Sequence, residues 1–139
     1  MTMTFNDTYE IKEVIGKGGM STVYLAKHKR LHTEWAVKQV NKNQGARFDF
    51  LAESNILKRL QHPMLPRIVD IFEDDDNIYI VEDYVRGVSL KVLLKDRKRV
   101  DEAQAERWFR DLCGALRYLH GQTPNPIIYR DMKPSNIMI

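Results

Sequence analysis

Cysteine is nearly absent: Cys113 is the only one among 139 residues, so neither a disulfide framework nor a cysteine-rich zinc site can be built. That usage fits a reducing, intracellular setting. Long apolar runs are missing as well, and nothing approaches the roughly 20 residues that a membrane-spanning helix requires. Met1 to Asp7 lack the basic-then-apolar layout of a secretory signal. A cytoplasmic chain without a membrane span is therefore expected, although a longer parent protein could carry an anchor beyond residue 139. Glycine and proline are sparse, at seven and five residues, and no repeat or low-complexity tract interrupts the chain. With 43% apolar and 29% charged residues, the composition is that of a globular domain rather than a disordered segment. A large excess of one charge is also lacking, since 22 Lys and Arg face 19 Asp and Glu. Much of that small surplus lies in Lys95, Arg97, Lys98 and Arg99. No aromatic residue interleaves them, so a solvated loop is expected there and no nucleic-acid partner.

What is present divides into two halves. The first is rich in alternating, β-branched stretches and the second in amphipathic ones. Tyr9 to Ile15 and Thr22 to Lys27 read as strands joined by the glycine-rich turn Gly16 to Ser21. Glu34 to Val40 reads as a third strand. Phe48 to Leu60 has helical spacing that puts Glu53, Leu57 and Leu60 on one face, and His62-Pro63 ends it. Arg67 to Phe72 and Ile78 to Tyr84 form a strand pair around the acidic turn Glu73 to Asn77. Beyond Arg86, Val88 to Leu94 reads as a short helix. Asp101 and Gln104 resemble a capping box that opens a helix running to about His120, with an apolar stripe of Trp108, Phe109, Leu112, Leu116 and Leu119. Pro124-Asn125-Pro126 then breaks the chain.

Three stretches carry chemistry. Gly16-Lys17-Gly18-Gly19-Met20-Ser21-Thr22-Val23 lies between two strands, which excludes a dinucleotide fingerprint, because that motif leads from a strand into a helix. Glycines there would let the backbone approach phosphate oxygens, although a glycine-rich hairpin alone is explained as well by structure. In the third strand, period two places Ala36 and Lys38 on one face, so a flat ring could lie over Ala36 while Lys38 reaches phosphate. A surface lysine is the plainer reading until Glu53 is considered. A carboxylate on the inward face of a helix is costly unless paired, and Lys38 is the natural partner. Near the C-terminus, Asp131, Lys133 and Asn136 bring a carboxylate, a cation and an amide into one loop. They could handle a hydroxyl proton, a phosphoryl charge and a divalent cation respectively.

Taken in order, the glycine loop, Ala-Val-Lys, the inward Glu53 and Tyr129-Arg130-Asp131-Met132-Lys133-Pro134-Ser135-Asn136 resemble the eukaryotic-like (Hanks-type) serine/threonine protein kinases. The Gly-Gly-Met and Tyr-Arg-Asp details look bacterial. The resemblance runs from about Tyr9 to Ile139 and implies an α+β, protein-kinase-like fold. Residues 1–85 would form a small lobe with a five-stranded antiparallel sheet and one helix. Residues 86–139 would begin an incomplete helical lobe with its first helices and catalytic loop.

The resemblance also implies the roles. Gly16, Gly18 and Ser21 stand at the three glycine positions of the loop covering ATP, with Ile15, Lys17, Gly19, Met20 and Thr22 around them. Val23 and Ala36 would hold adenine on one side and Met138 on the other, while backbone groups of Asp83 and Val85 bind its edge. Lys38 would hold phosphates and pair with Glu53; Asp131 would be the catalytic base, Lys133 would assist at the transferred phosphoryl group, and Asn136 would ligate Mg2+, with Mn2+ an alternative. The partner implied is a protein with a Ser or Thr acceptor. The sequence departs from the pattern at Glu82, where the back of the adenine pocket is usually apolar, at Ser89, where an acidic residue often meets the ribose, and at Tyr129, where histidine is usual. No Asp-Phe-Gly segment occurs in these residues, so the 139-residue chain is expected to be inactive by itself. The competing reading is a non-catalytic nucleotide-binding or scaffold module that dimerises through the incomplete lobe or binds a partner.

Overall fold

The computed structural model describes residues 4–19, 21–43, 55–130 and 132–139. They fall into two compact units, one of residues 1–61 with 66–84, the other of residues 62–65 with 85–139.

The first unit is built on an antiparallel sheet of six strands: β1 (Thr4–Phe5), β2 (Tyr9–Lys17), β3 (Ser21–His28), β4 (Glu34–Asn41), β5 (Ile68–Glu73) and β6 (Asn77–Asp83). Their order is β1-β2-β3-β4-β6-β5. Five of these strands match the alternating stretches of the sequence. The sixth, β1, corrects the five-strand expectation. Asn6 and Asp7 both adopt left-handed backbone, with φ of 48° and 51°, and the Thr8 N–H donates to the Phe5 carbonyl at 3.0 Å. This is the geometry of a tight hairpin, at residue types that tolerate it. It folds Phe5 back beside Tyr9.

Alternation divides the sheet into two faces. On one, Phe5, Tyr9, Ala26, Val37, Tyr79 and Val81 form a buried cluster. Phe5 lies 4.8 Å from Tyr79 and 5.2 Å from Tyr24, measured between ring centres. The Tyr9 hydroxyl donates to Asp70 Oδ2 at 3.2 Å, which shows the sheet curling until β2 meets β5. Burial and Asp70 together push the Tyr9 hydroxyl up to about 12. Beside it, Tyr79 donates to Asp74 Oδ2 at 2.7 Å. That bond ties strand β6 to the acidic turn and holds the Asp74 carboxyl below its usual range. The opposite face carries Val23 and Leu25 of β3, Ala36 and Lys38 of β4, and Ile80 and Glu82 of β6.

The helix expected over Phe48–Leu60 lies mostly outside the described residues. Asn55–Leu57 are helical, and the segment closes with the Leu60 N–H donating to the Leu57 carbonyl.

In the second unit, α1 spans Leu90–Arg97 and α2 spans Glu102–His120. The shorter helix starts and ends later than the expected Val88–Leu94, because Ser89 acts as its cap by accepting a hydrogen bond from the Val92 N–H at 3.3 Å. The basic cluster is solvent-exposed as expected but only half of it is loop, since Lys98 and Arg99 alone lie beyond the helix. Lys95 and Arg97 occupy the last turn of α1 and Lys98 caps it in left-handed conformation, where cations complement the helix dipole. Helix α2 ends at His120 as expected, but Asp101 makes no side-chain cap bond, which corrects the capping-box expectation. Its buried stripe centres on Ala115 and Leu119, whereas Phe109 is 67% exposed. At 100° per residue, Phe109 falls at the edge of that stripe.

Candidate functional site

The glycine-rich hairpin is the junction of β2 and β3. Gly16 pairs with Val23 and Lys17 with Thr22, with a bulge at Ile15 between Val14 and Gly16. The Gly18 N–H donates to the Ser21 carbonyl at 2.8 Å, closing the tip around Gly19. Met20 lies outside the described residues.

Among the described residues nothing requires these glycines. None of Gly16, Gly18 and Gly19 has a left-handed φ. A Cβ placed on Gly16 would meet Val23 at 3.6 Å, and one on Gly18 would meet Ser21 at 3.8 Å, both ordinary contacts. Around Gly19 nothing lies within 4 Å among the described residues. Glycine costs backbone entropy on folding, so three of them in four positions, without a steric need among the described residues, suit close approach by something from outside.

Gly87 is the contrast. Its φ is +132°, and a Cβ there would collide with the Ile139 carbonyl oxygen. That oxygen accepts from the Val88 N–H at 3.4 Å, and the Ile139 N–H donates to the Val88 carbonyl at 2.9 Å. Gly87 is needed for the chain end to lie there.

On β4, Ala36 is buried and Lys38 half-buried, both on the face opposite the aromatic cluster. Val23 stands beside Lys38 in register, and Glu82 stands directly across from Ala36. Burial raises the Glu82 carboxyl above its ordinary value, and the charge of Lys38 draws it partly back. The resemblance sets Glu82 at the back of the adenine pocket, and the register makes it a member of the same face as Ala36.

Asp83 follows on β6 and grips Arg67. Arg67 Nε donates to Oδ2 at 3.0 Å, Nη2 to Oδ1 at 2.9 Å, and its backbone N–H to Oδ2 at 2.8 Å. This fork, led by the guanidinium, holds the Asp83 carboxyl below its usual range. The Asp83 N–H is committed to the Arg67 carbonyl at 3.0 Å. No sequence pattern announced this pair, since its members are separated by a turn whose register local alternation does not fix.

In the second unit, Pro134–Asn136 form one 3-10 turn that opens at Lys133, whose carbonyl accepts from the Asn136 N–H at 2.9 Å. The turn is tied to α1: the Leu90 N–H donates to the Ile137 carbonyl at 2.7 Å, and Ser89 and Met138 form an antiparallel bridge. Ser89 is thus a helix cap and a bridge partner. Val85 and Met138 are exposed by 43% and 42%. Arg130 has φ of 27°, a conformation that costs a residue with a side chain about 1–2 kcal/mol and that tends to occur at functional positions.

Glu53 and Asp131 lie outside the described residues. Of the expected site, the structure therefore brings together Gly16, Val23, Ala36 and Lys38 in one unit and Lys133, Asn136 and Met138 in the other. Among the described residues no group of three or more His, Cys, Asp or Glu side chains is placed to hold a metal ion. Asn136 offers a single amide oxygen, so these residues alone do not make a magnesium site.

A two-stranded glycine hairpin, followed by a strand presenting alanine and lysine on one face, is the arrangement against which known proteins can be compared. The family model described as the protein kinase domain matches residues 9–139. The chain belongs to that family. This kinase domain is 33% identical over 131 residues to a probable myosin light chain kinase of Dictyostelium discoideum, covering 94% of this chain and 41% of that protein. It is 34% identical over 141 residues to Aurora/IPL1-related protein kinase 2 of Caenorhabditis briggsae, covering 99% of this chain and 45% of the other. Among solved structures it resembles Rad53 1-466 in complex with AMP-PNP, with a TM-score of 0.86 and 29% identity over 95% of this chain and 34% of that one. The chain thus spans less than half the length of these relatives. No helix among the described residues is long and apolar enough to cross a membrane.

Proposed function

We propose that this kinase domain takes part in transfer of the γ-phosphoryl group of ATP to a Ser or Thr hydroxyl of a protein substrate. The observation that carries the reading is the β4 face. Ala36, small and buried, lies two residues from the Lys38 ammonium, next to a hairpin whose glycines meet no steric need among the described residues. A flat base could lie against Ala36 and Val23, with Ile15 at the flank. Lys38 would neutralise phosphate charge, and backbone N–H groups of the glycine loop other than that of Gly18, which is committed to Ser21, would donate to phosphate oxygens. The AMP-PNP in the Rad53 crystal structure supports ATP as the nucleotide.

The other roles belong to the same proposal and rest on the motif. Residues 1–85 act as the small lobe and 86–139 as the start of the large one. Glu53 steadies Lys38, Asp131 orients the acceptor hydroxyl and takes its proton, and Lys133 stabilises charge on the transferred group. Asp83 and Val85 meet the base edge through their backbones, with Met138 against the base. Magnesium, or manganese in its place, would accompany the phosphates and withdraw their charge, with Asn136 giving it one oxygen. Lys133 two positions after Asp131 favours Ser and Thr acceptors. The bacterial cast rests on the glycine-loop and Tyr-Arg-Asp residues alone. A homodimer through the second unit is the finer part of the partner reading, and sedimentation at tens of micromolar would test it.

By themselves these 139 residues, which include no Asp-Phe-Gly, should bind ATP and turn it over at background. ATP titration and a phosphoryl-transfer assay on a serine peptide, each with Lys38→Met as control, test this. Saturable binding weakened at least about ten-fold by Lys38→Met is expected. Absence of ATP binding would remove the reading, and turnover that Lys38→Met abolishes would overturn the inactivity.

A further inference from the structure

Strand β6 carries a carboxylate, Glu82, to which no described residue gives a hydrogen bond. Glu82 faces Ala36 of β4 on one side and Ile68 of β5 on the other, with Ile80 and Leu25 on the same face. None of these neighbours carries a side-chain donor. Among the described residues no side chain donates a hydrogen bond to Glu82, and Lys38 acts on it only through its charge. A half-buried acceptor in apolar company is costly unless something completes its hydrogen bonding.

The sheet order indicates what that could be. The glycine hairpin and β3 flank β4 on one side, and β6 flanks it on the other. A purine lying over Ala36, with its phosphates toward the hairpin and Lys38, turns the edge of its six-membered ring toward β6. The facing pair Ala36 and Glu82 has Cβ atoms roughly 5 Å apart, so the substituent at position 6 of the ring comes to the Glu82 carboxylate. An ionised carboxylate only accepts hydrogen bonds. The 6-amino group of adenine donates, whereas the 6-oxo group of hypoxanthine or guanine accepts.

We propose that Glu82 selects the base: it accepts a hydrogen bond from the 6-amino group of adenine and repels a 6-oxopurine seated in the same way. This rests on the reading of the β4 face as the nucleotide site. Calorimetric titration of the 139-residue chain with ATP, inosine triphosphate and purine riboside triphosphate, the last lacking any 6-substituent, tests it in wild type, Glu82→Gln and Glu82→Leu. The wild type should bind ATP about 10- to 100-fold more tightly than inosine triphosphate, with the unsubstituted purine between them. Glu82→Gln, whose amide can donate to a 6-oxo group, should close most of that gap. Glu82→Leu should narrow the gap between ATP and purine riboside triphosphate to what the backbone groups of Asp83 and Val85 supply. Equal wild-type affinities for ATP and inosine triphosphate overturn the proposal, as does a preference that survives undiminished in both variants. Wild-type protein that binds no nucleotide overturns the underlying site as well; binding without base preference overturns this proposal alone.

Discussion

Alanine in place of Gly16 or Gly18 separates what the fold needs from what a ligand needs. At Gly16 the added methyl would sit 3.6 Å from the Val23 Cβ and 3.7 Å from its Cγ2; at Gly18 it would sit 3.8 Å from the Ser21 carbonyl oxygen. Neither position has the left-handed backbone that penalises a side chain. The folded state therefore accepts the methyl, while the unfolded chain loses freedom, which favours folding by about 0.4–1 kcal/mol. For a chain of this size that raises the melting temperature by about 1–4 °C. Nucleotide binding should move in the opposite direction. A methyl between the backbone and a phosphate lengthens at least one charge-assisted N–H bond worth about 1.5–3 kcal/mol, which corresponds to roughly 10- to 100-fold weaker ATP binding. Thermal unfolding followed by tryptophan fluorescence, together with ATP titration of each variant, measures both effects. A loss of stability above about 1 kcal/mol in either alanine variant, or unchanged ATP affinity in both, would refute the inference from unneeded glycines to a ligand.

Three further outcomes follow from the geometry. Phe5→Ala should cost about 3 kcal/mol, the lower end for a buried phenylalanine, because it removes the ring between Tyr24 and Tyr79 and with it the reason for β1 to fold back; urea unfolding checks this. Gly87→Ala should disturb the Val88–Ile139 pairing, and hydrogen exchange should speed up at Val88, Leu90 and Ile139 while β3 and β4 stay protected. The Glu82 carboxyl is raised in the folded state, so the fold binds its proton more tightly than the unfolded chain does. Its contribution is favourable below the unfolded value of about 4.3 and is lost as pH rises through the folded value. Glu82→Gln should remove that slope, which for one group cannot exceed about 1.4 kcal/mol per pH unit. Asp83 works in the other sense: its lowered carboxyl favours folding above the unfolded value and loses that contribution as pH falls through the folded one. Stability followed between pH 3 and pH 8 in wild type, Glu82→Gln and Asp83→Asn separates the two.

Much of the first unit was legible because strand alternation and a glycine turn are local signals. Tyr9 to Ile15, Thr22 to Lys27 and Glu34 to Val40 each needed only period two to be placed, and the face shared by Ala36 and Lys38 followed from the same count. Strand β1 escaped because two residues carry no periodicity; its mark was Asn6-Asp7 between Phe5 and Tyr9, a turn pair that points to a hairpin. The neighbours of Glu82 were hidden for a different reason. They depend on β4 pairing with β6 across some forty residues, and long-range register has no local trace. Ser89 was read from its motif position, although a serine preceding Leu90 and an amphipathic stretch is also a helix cap, which is what it became. Glu53 and Asp131 lie outside the described residues, so their roles remain proposals founded on the motif.

The central claim is that nucleotide lies on the β4 face carrying Ala36 and Lys38, away from the aromatic cluster. Backbone amide shifts of the isotopically labelled 139-residue chain, recorded while ATP is added, test it most directly. The account predicts saturable shifts at Gly16, Gly18, Val23, Ala36 and Lys38 that are greatly reduced in Lys38→Met, with Phe5, Tyr9 and Tyr24 nearly still. Shifts confined to Phe5, Tyr9 and Tyr24, or none at millimolar ATP, would contradict it.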